Sequence, residues 1–390
     1  MNPYRQYLAP TGPSPMGVEV SRAEGSYVYD KAGKTYLDFV AGVSALPLGH
    51  RHPELTKVLE RQASRYWHVM VYGEFFQDAT LDLALEMARE LPPSLQTLYP
   101  LNSGTEAVEA ALKLAKKATG RMKIVAARHA YHGNTQGSMS VMGFEPRKRP
   151  YVPLIPGVEF IRFNRPEDLD LIDTQTAAVI LETIQGGAGF IEPQNDYLRL
   201  VRRRCDETGA LLILDEIQTG FARTGKMFGF QHYGILPDIL VTGKALGGGF
   251  PIGALSASRE LFEHFIRPPM GHITTFGGHP VVNAVAAETL RIIRRENLAS
   301  QATEKEKYLR SRLRHPLIRE IRGKGLMLAL IMPDKQTADK LILQALDQGL
   351  ILFWLLYEPR AVRLTPPLNI SYADLDKAAN IIIDILNQMQ

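Results

Sequence analysis

Short apolar runs recur through the middle of the chain, and each ends in a polar or glycine-rich segment. Runs of this kind are typical of strands buried on both faces of a sheet. An amphipathic helix is predicted between two of them, in NDYLRLVRRRCDETG from Asn195. This alternation predicts a mainly parallel sheet covered by helices, with ligands bound beyond the carboxyl ends of its strands. The four runs are KIVAARHAYHG, AAVILETIQGG, LLILDEIQTG and DILVTGKALGG.

The two ends of the chain have a different pattern. Residues 25–42 alternate around a Lys-Ala-Gly turn, which predicts a small antiparallel hairpin. After about residue 285 we expect a helix, a strand in GKGLMLALIM, a helix over 337–349, a strand in VRLTPPL and a last helix from Tyr372. This style suits a small α+β domain built from both termini. The predicted division is residues 1–45 for its N-terminal segment, 46–284 for a large cofactor-binding domain and 285–390 for its C-terminal part.

Composition excludes several classes of protein. Of the 390 residues, 45% are apolar and 22% charged, which is ordinary for a globular protein with a large core. The net charge of +4 and the short basic clusters without aromatic neighbours do not favour a nucleic-acid surface. The single cysteine, Cys205, excludes an intramolecular disulfide and a thiolate zinc cage. With no signal-peptide core and no long apolar run, we expect a cytoplasmic protein without a membrane span or a metal site.

Three successive predicted strands deliver charged residues to one rim of the sheet. Glu182 follows the second run, Asp215 the third and Lys244 the fourth. Because the carboxyl ends of parallel strands lie side by side, these side chains should be neighbours. A structural ion pair between Asp215 and Lys244 is an equally good interpretation of these residues alone.

A phosphate site is predicted at the start of another helix. In LNSGTEAVEAALKLAKKATG, Ser103 and Glu106 fit a capping box, and free amides at a helix N-terminus suit a phosphate. Gly243-Lys244 is not a nucleotide P-loop, because Asp238 and Ala245 stand where that motif needs Gly and Ser or Thr. No dinucleotide-binding glycine motif follows an early strand either. A phosphate-bearing cofactor that needs a lysine, an acidic partner and no metal remains, and pyridoxal 5′-phosphate meets that description.

Seven ordered segments make the chain resemble the class III, fold-type I aminotransferases, a family that includes ornithine, acetylornithine and 4-aminobutyrate aminotransferases. The resemblance implies an α/β fold with a mainly parallel seven-stranded sheet in the large domain, and a smaller α+β domain from both termini. It runs from about Gly25 to Pro367. The segments are LDFVAGVSALPLGHRHP, NSGTEAVEAALKLAKKATGR, AYHGNTQGSMS, LETIQGGAG, LLILDEIQTGFARTG, TGKALGGGFPIGA and TTFGGHP.

The resemblance assigns roles around the cofactor. Lys244 is implied to form the Schiff base and move a proton at the substrate, and Asp215 to keep the pyridinium nitrogen protonated. Tyr131 is implied to stack on one face of the ring, with Ile217 under the other and Gln218 near the phenolic oxygen. A homodimer is implied, in which Thr275 reaches the partner's cofactor. The remaining implied cofactor-binding residues are Ser103, Gly104 and Thr105 at the phosphate, with His132 and Glu182 beside them.

The substrate side of the pocket departs from the family. Arg363, in VRLTPPL, matches the arginine that grips a substrate carboxylate. Asn134 stands where these relatives carry a second, distal arginine, and Gly187 stands where they carry a glutamate that pairs with the first. Arg363 should therefore stay available to a carboxylate. Trp67, together with His68 and Val43, is predicted to line the side of the pocket opposite Arg363.

The leading hypothesis is an ω-type aminotransferase that works by ping-pong chemistry, moving an amino group to pyruvate or 2-oxoglutarate. The donor is either an α- or β-amino acid held by Arg363 or an amine, including an ω-amino compound, with a neutral tail. An amino-acid racemase or aminomutase of the same family is the alternative, since it shares the lysine, the aspartate and the phosphate site. A cofactor-free protein that keeps the fold is a third, and it would be colourless.

Overall fold

The structure is a computed structural model that describes residues 3–389. None of the helices in this range has the length and apolar content needed to cross a membrane. The strands are Val20–Glu24 (β1), Tyr27–Asp30 (β2), Thr35–Asp38 (β3), Thr97–Leu101 (β4), Lys123–Ala127 (β5), Val158–Ile161 (β6), Thr176–Glu182 (β7), Leu211–Asp215 (β8), Ile239–Gly243 (β9), Gly253–Ala257 (β10), Glu320–Lys324 (β11), Met327–Ile331 (β12), Leu350–Ile351 (β13), Phe353–Trp354 (β14) and Ala361–Leu364 (β15).

Helices cover the sheets and connect the strands. Short 3₁₀ turns supplement them, including one at Lys244–Gly247 directly after β9. The α-helices are Pro3–Tyr7 (α1), Ala41–Ser44 (α2), Pro53–Arg65 (α3), Asp78–Glu90 (α4), Gly104–Thr119 (α5), Gln136–Ser140 (α6), Glu145–Lys148 (α7), Tyr197–Thr208 (α8), Arg259–Phe262 (α9), Pro280–Arg295 (α10), Leu298–Arg312 (α11), Lys335–Asp347 (α12) and Tyr372–Asn387 (α13).

The largest sheet has seven strands in the order β4-β10-β9-β8-β7-β5-β6. The pairs from β9 to β6 are parallel, and β10 is antiparallel to both of its neighbours. The mainly parallel seven-stranded sheet is thus confirmed. Each of the four predicted runs supplies a strand to it, and the predicted intervening helix is α8.

Both faces of this sheet are buried, as the uninterrupted apolar runs require. On one face, Ile180 and Ile213 share an apolar core with Val108 and Leu112 of α5. On the other, residues such as Leu181 and Leu214 join the larger core that includes α8. The carboxyl edge between β7 and β9 is left as the place where polar side chains collect.

Two small sheets combine segments from both ends of the chain. One has the order β1-β2-β3-β13, and it confirms the hairpin predicted in residues 25–42. Its last pair joins β3 to β13 in parallel, so the N-terminal hairpin is completed by a C-terminal strand. The other small sheet has the order β11-β12-β15-β14. The predicted domain limits remain a prediction, and the limit at residue 284 falls inside α10.

Two predicted C-terminal elements differ in their bounds. The helix expected over 337–349 is α12, which begins at Lys335 because Asp334 caps it by accepting from the Thr337 N–H at 2.8 Å. It ends before Gly349, whose φ of +81° stops the helix. The single strand expected in GKGLMLALIM is the end of β11, a turn and β12, because Gly325 at φ +60° reverses the chain.

Candidate active site

The carboxyl ends of β7, β8 and β9 bring the three predicted charged residues to one edge. Glu182 and Asp215 are register partners at the ends of neighbouring strands. Lys244 comes directly after β9, which pairs with β8 on its other side. Its backbone has a φ of +43°, a left-handed conformation that is rare outside glycine and that clusters at functional sites. The predicted juxtaposition is therefore present.

Asp215 pairs with His132 and not with Lys244. The Asp215 Oδ2 atom lies 2.8 Å from His132 Nδ1, and Oδ1 accepts from the Ile217 N–H at 3.0 Å. His132 is 2% exposed, and within the described chain its buried Nε2 has no hydrogen-bond partner. A histidine in this position fixes one oxygen of the carboxylate. The interpretation of Asp215 and Lys244 as a simple ion pair is wrong for residues 3–389.

Lys244 carries a buried amine without a partner in the described chain. Across residues 3–389 no side chain or carbonyl accepts a hydrogen bond from its Nζ. Burial lowers the pKa of Lys244, the charge of Asp215 opposes that change, and the charge of Arg363 adds to it. A buried amine with a lowered pKa is the form in which lysine attacks a carbonyl carbon.

Glu182 ties the Tyr131 loop to the turn after β7. Its Oε1 accepts from the Tyr131 N–H and its Oε2 from the Gly186 N–H, both at 2.9 Å. Burial raises the pKa of Glu182 to about 7, partly offset by His132. The Gln218 amide lies against the Cα of Gly186, so the glutamate and the glutamine border the same turn.

The N-terminus of α5 presents free backbone donors, as predicted. The Ser103 hydroxyl accepts from the Glu106 N–H at 3.3 Å. The reciprocal half of the predicted capping box is shifted, because Glu106 accepts from the Asn102 N–H at 2.9 Å and not from that of Ser103. Within the described chain, the N–H groups of Gly104 and Thr105 have no acceptor. Amides at the positive end of a helix of this length suit an anion.

Gly104 joins this helix start to the lysine strand. A Cβ at Gly104 would lie 2.7 Å from Ile217 Cδ1, so any larger residue would push Ile217 away. A Cβ at Gly243 would lie 3.7 Å from the Gly104 Cα and 3.6 Å from Ile217 Cγ2. The structure thus brings the predicted phosphate residues, Ile217 and the end of β9 together.

The hydroxyl of Thr105 is already bound by protein groups. It lies 2.8 Å from the Thr135 hydroxyl and 2.7 Å from that of Ser138. These contacts hold the Tyr131 loop against α5. In the same loop, the exposed Asn134 donates from Nδ2 to the Tyr131 hydroxyl at 3.2 Å.

Arg363 is a buried cation without an anionic partner. It lies in β15, is 5% exposed, and has its Cζ 5.8 Å from the centre of the Phe190 ring. Within the described residues its Nε and Nη1 are buried without hydrogen-bond partners. Burial lowers the pKa of Arg363 to about 10, which leaves it charged at neutral pH. An unpaired buried guanidinium is costly, and a bound carboxylate would satisfy it.

Tyr357 fills the space beside Gly187, and the sequence did not reveal it. A Cβ at Gly187 would lie 2.8 Å from Tyr357 Cε2, which leaves no room for the glutamate of the relatives. The Tyr357 ring stacks on Phe144, with centroids 4.4 Å apart, and the Arg147 Cζ lies 5.8 Å from the ring centroid. In the sequence, the only sign of this contact is the glycine at residue 187.

A left-handed turn next to Gln218 was also missed. All four residues of α2 have φ between +49° and +69°, including Ala41 and Ser44. Asp38 Oδ1 stabilises its start by accepting from the N–H groups of Val40 and Ala41. Gln218 Nε2 lies 3.5 Å from the Ser44 hydroxyl, so this strained turn borders the cofactor side of the site.

Two predicted site residues are not brought to this edge by contacts within one chain. Thr275 is exposed, in the segment that follows residues 265–270. Trp67 is 74% exposed, and the neighbouring His68 stacks on His279 with centroids 5.3 Å apart. Both lie near the segment that contains Phe276, which also contacts His68.

The residues present fit pyridoxal phosphate. The fit rests on an amine without a partner at Lys244, an oriented carboxylate at Asp215 and two free amides at the start of α5. The close approach at Gly104 brings these groups into one cleft. They would supply the covalent anchor, the ring-nitrogen partner and the phosphate donors that this cofactor requires.

Comparison of the sequence with known proteins gives a consistent family. The model of the class III aminotransferases matches residues 8–386. A [LysW]-aminoadipate semialdehyde/glutamate semialdehyde transaminase of Sulfurisphaera tokodaii is 38% identical over 373 residues, which covers 93% of each chain. The acetylornithine aminotransferase of Bacillus subtilis is 37% identical, also over 93% of each chain. These names favour transamination over the racemase or aminomutase alternative.

Solved structures agree. The ornithine aminotransferase of Toxoplasma gondii superposes with a TM-score of 0.92 at 32% identity, covering 99% of this chain and 94% of that one. An (S)-enantioselective ω-transaminase from Thermomicrobium roseum superposes with a TM-score of 0.91 at 29% identity, covering 98% and 96%. With the family model matching nearly the whole length and the fold matching these enzymes, the chain belongs to the class III aminotransferases, which transfer amino groups with pyridoxal phosphate.

Proposed function

We propose that this aminotransferase takes its amino group from an amine, a β-amino or an ω-amino donor and passes it to pyruvate or 2-oxoglutarate, with Lys244 and Asp215 as the catalytic residues. The donor leaves as a carbonyl compound and the keto acid leaves as an amino acid. The two half-reactions balance each other, so no external oxidant or reductant is consumed.

When bound, pyridoxal phosphate supplies the electrophilic carbon that takes up the amino group and the ring that delocalises the electron pair freed at the substrate carbon. The amine of Lys244 would attach the cofactor and carry a proton to and from that substrate carbon. Asp215, whose Oδ2 lies 2.8 Å from His132 Nδ1, would be the partner of the ring nitrogen. The Gly104 and Thr105 amides would hold the phosphate, with Ser103 capping the helix that presents them.

Side chains from three segments would enclose the ring. Ile217, which packs against Gly104, would lie on one face of it and Tyr131 on the other. Gln218, beside Glu182, would lie near the phenolic oxygen. Burial raises the pKa of Tyr131, which keeps its hydroxyl protonated as a donor.

The observation that carries the substrate assignment is the unpaired state of Arg363. Its buried Nε and Nη1 have no partner in the described chain, and Gly187 with Tyr357 leaves no place for a competing glutamate. Arg363 is therefore open to a carboxylate in both half-reactions. An amino-acid donor or the keto acid presents its carboxylate there, while a neutral-tailed amine binds without it.

The partner subunit and the setting belong to the same proposal. The exposed Thr275 suits a homodimer in which it reaches the neighbouring cofactor phosphate, and the exposed Trp67 then faces the substrate side of that interface. Asn134, in place of a distal arginine, gives that side a neutral amide. We place the enzyme in the cytoplasm, in keeping with its single, buried Cys205.

A donor panel tests this proposal. β-Amino acids, ω-amino acids, diamines and aryl amines are each combined with pyruvate or 2-oxoglutarate, and transfer of the amino group is measured by product analysis. The purified protein should be coloured, and borohydride should fix the cofactor to Lys244. Exchange of the α-proton or inversion without amino transfer would establish the isomerase instead. A colourless protein that takes up no cofactor would refute both enzymes.

A further inference from the structure

A cation beside Tyr357 is left unused by the mechanism above. Arg147 lies in α7 and is exposed, and within residues 3–389 its guanidinium has no ion-pair or hydrogen-bond partner. Its Cζ lies 5.8 Å from the centre of the Tyr357 ring. Stacking on an aromatic face holds a guanidinium in place while its donors remain free.

The Tyr357 ring connects Arg147 with the turn after β7. The ring lies against Gly187, and its hydroxyl is buried and, in the described chain, has no hydrogen-bond partner. Burial raises the pKa values of Tyr131 and Tyr357, and the charge of Arg147 opposes both changes. A free buried hydroxyl and a free cation thus meet at one aromatic ring.

Asn134 lies at the Tyr131 hydroxyl, on the same side of the site. Its amide donates to the Tyr131 hydroxyl at 3.2 Å, at the position where relatives carry a distal arginine. A neutral amide cannot neutralise a second substrate charge. Arg147, in α7, instead offers a positive charge at the Tyr357 ring, which stacks on Phe144.

We propose that Arg147, with the Tyr357 hydroxyl, binds the distal carboxylate of a dicarboxylic keto acid whose α-carboxylate is held by Arg363. The inference rests on the proposed function and narrows it, because it selects 2-oxoglutarate over pyruvate as the acceptor. Two separate cations suit a molecule with two carboxylates, and pyruvate offers only one. The amino-acid product of the half-reaction, which keeps both carboxylates, is held by the same pair.

Arg147→Gln tests the inference, and Arg149→Gln is the matched control, because Arg149 is equally exposed two residues away. For the holoenzyme with one saturating donor, Arg147→Gln should lower kcat/KM for 2-oxoglutarate about 10- to 100-fold, the effect of losing a charged hydrogen bond. The value for pyruvate should change less than about twofold. Tyr357→Phe keeps the ring under Arg147 and should weaken 2-oxoglutarate selectively but less.

Glutarate gives a readout that needs no turnover. It carries both carboxylates and no keto group, so calorimetry should show it binding the wild type and the Arg149→Gln variant, and binding Arg147→Gln about 10-fold or more weakly. Equal losses for both keto acids, no loss, or the same loss in the Arg149→Gln variant would overturn the role of Arg147. A wild type that transfers amino groups to neither keto acid overturns the proposed function, whereas glutarate binding still decides on Arg147.

Discussion

The Tyr357 ring lies against Gly187, and the Tyr357 N–H donates to the Gly187 carbonyl oxygen at 2.9 Å. The aromatic ring therefore occupies the volume into which a side chain at residue 187 would extend. Within the described residues the buried Nε and Nη1 of Arg363 have no partner, and under the proposed function the substrate supplies its counter-charge.

Gly187→Ala should destabilise the folded chain by about 1–3 kcal/mol, because the new Cβ would approach Tyr357 Cε2 to 2.8 Å in a well-packed site. In a Tyr357→Ala background, Gly187→Ala should cost little further stability, since the clashing ring is absent. Urea unfolding of both single variants and the double variant measures the coupling. Additive losses would mean that the ring does not limit this position.

Arg363→Ala should raise the KM for keto acids and lower kcat/KM about 10- to 100-fold, because a charged hydrogen bond to the carboxylate is lost. Bound cofactor, measured by its visible absorption, should be unchanged. Arg360→Ala is the control, since Arg360 is close in sequence, partly exposed and paired with Glu358 at 2.9 Å. Loss of cofactor with unchanged acceptor kinetics would contradict the assigned role.

Asp215→Asn should lower kcat about 10²- to 10³-fold, the usual effect of removing one preorganised electrostatic group from an active site. The side chain keeps its size, so His132 and the fold are retained. Asp238→Asn is a control at the opposite end of β9, where Asp238 pairs with Arg202 at 2.8 Å. Steady-state rates with saturating donor and acceptor should separate the two variants, and equal rates would remove Asp215 from the chemistry.

Glu182 makes the stability of the cofactor-free chain depend on pH. Its pKa is raised from 4.5 to about 7 by burial, so the folded state retains a proton that the unfolded state has lost. The folded state is therefore favoured below about pH 4.5, and that contribution falls as the pH rises to about 7.

Glu182→Gln removes this titration while keeping the shape of the side chain. Relative to the wild type, the variant should gain on the order of 3 kcal/mol between pH 4.5 and about 7, and nothing further above that. Urea unfolding across this range provides the measurement. A difference between the two proteins that stays constant with pH would show that Glu182 titrates normally in the folded chain.

Sequence was sufficient to locate the strand ends and what they carry. Uninterrupted apolar runs predict strands covered on both faces, and parallel strands align their carboxyl ends, so Glu182, Asp215 and Lys244 were expected to be neighbours. Register pairing of Glu182 with Asp215 shows why that argument works. It needs only the direction of the strands and the point where each one ends.

The partners across the cleft were beyond the reach of such patterns. Tyr357, in the turn that follows β14, contacts Gly187. No repeat of apolar and polar residues within either loop predicts a contact between loops so distant in sequence. His132 was expected near the cofactor, but its bond to Asp215 depends on how a loop folds back over β8. The shifted capping of α5, where Glu106 reaches Asn102, likewise depends on local geometry.

Contacts between the two ends of the chain also determine when the surroundings of Arg363 form during synthesis. The Thr365 hydroxyl donates to the Val40 carbonyl oxygen at 3.0 Å across 325 residues, and the Phe39 N–H donates to the Ile351 carbonyl oxygen at 3.1 Å. Contacts of such long range form late in folding, and on a ribosome they cannot form before their second partner emerges. A nascent chain thus holds Lys244 and Asp215 long before it holds Arg363, so under the proposed function selectivity for a carboxylate is the last property that the growing enzyme acquires.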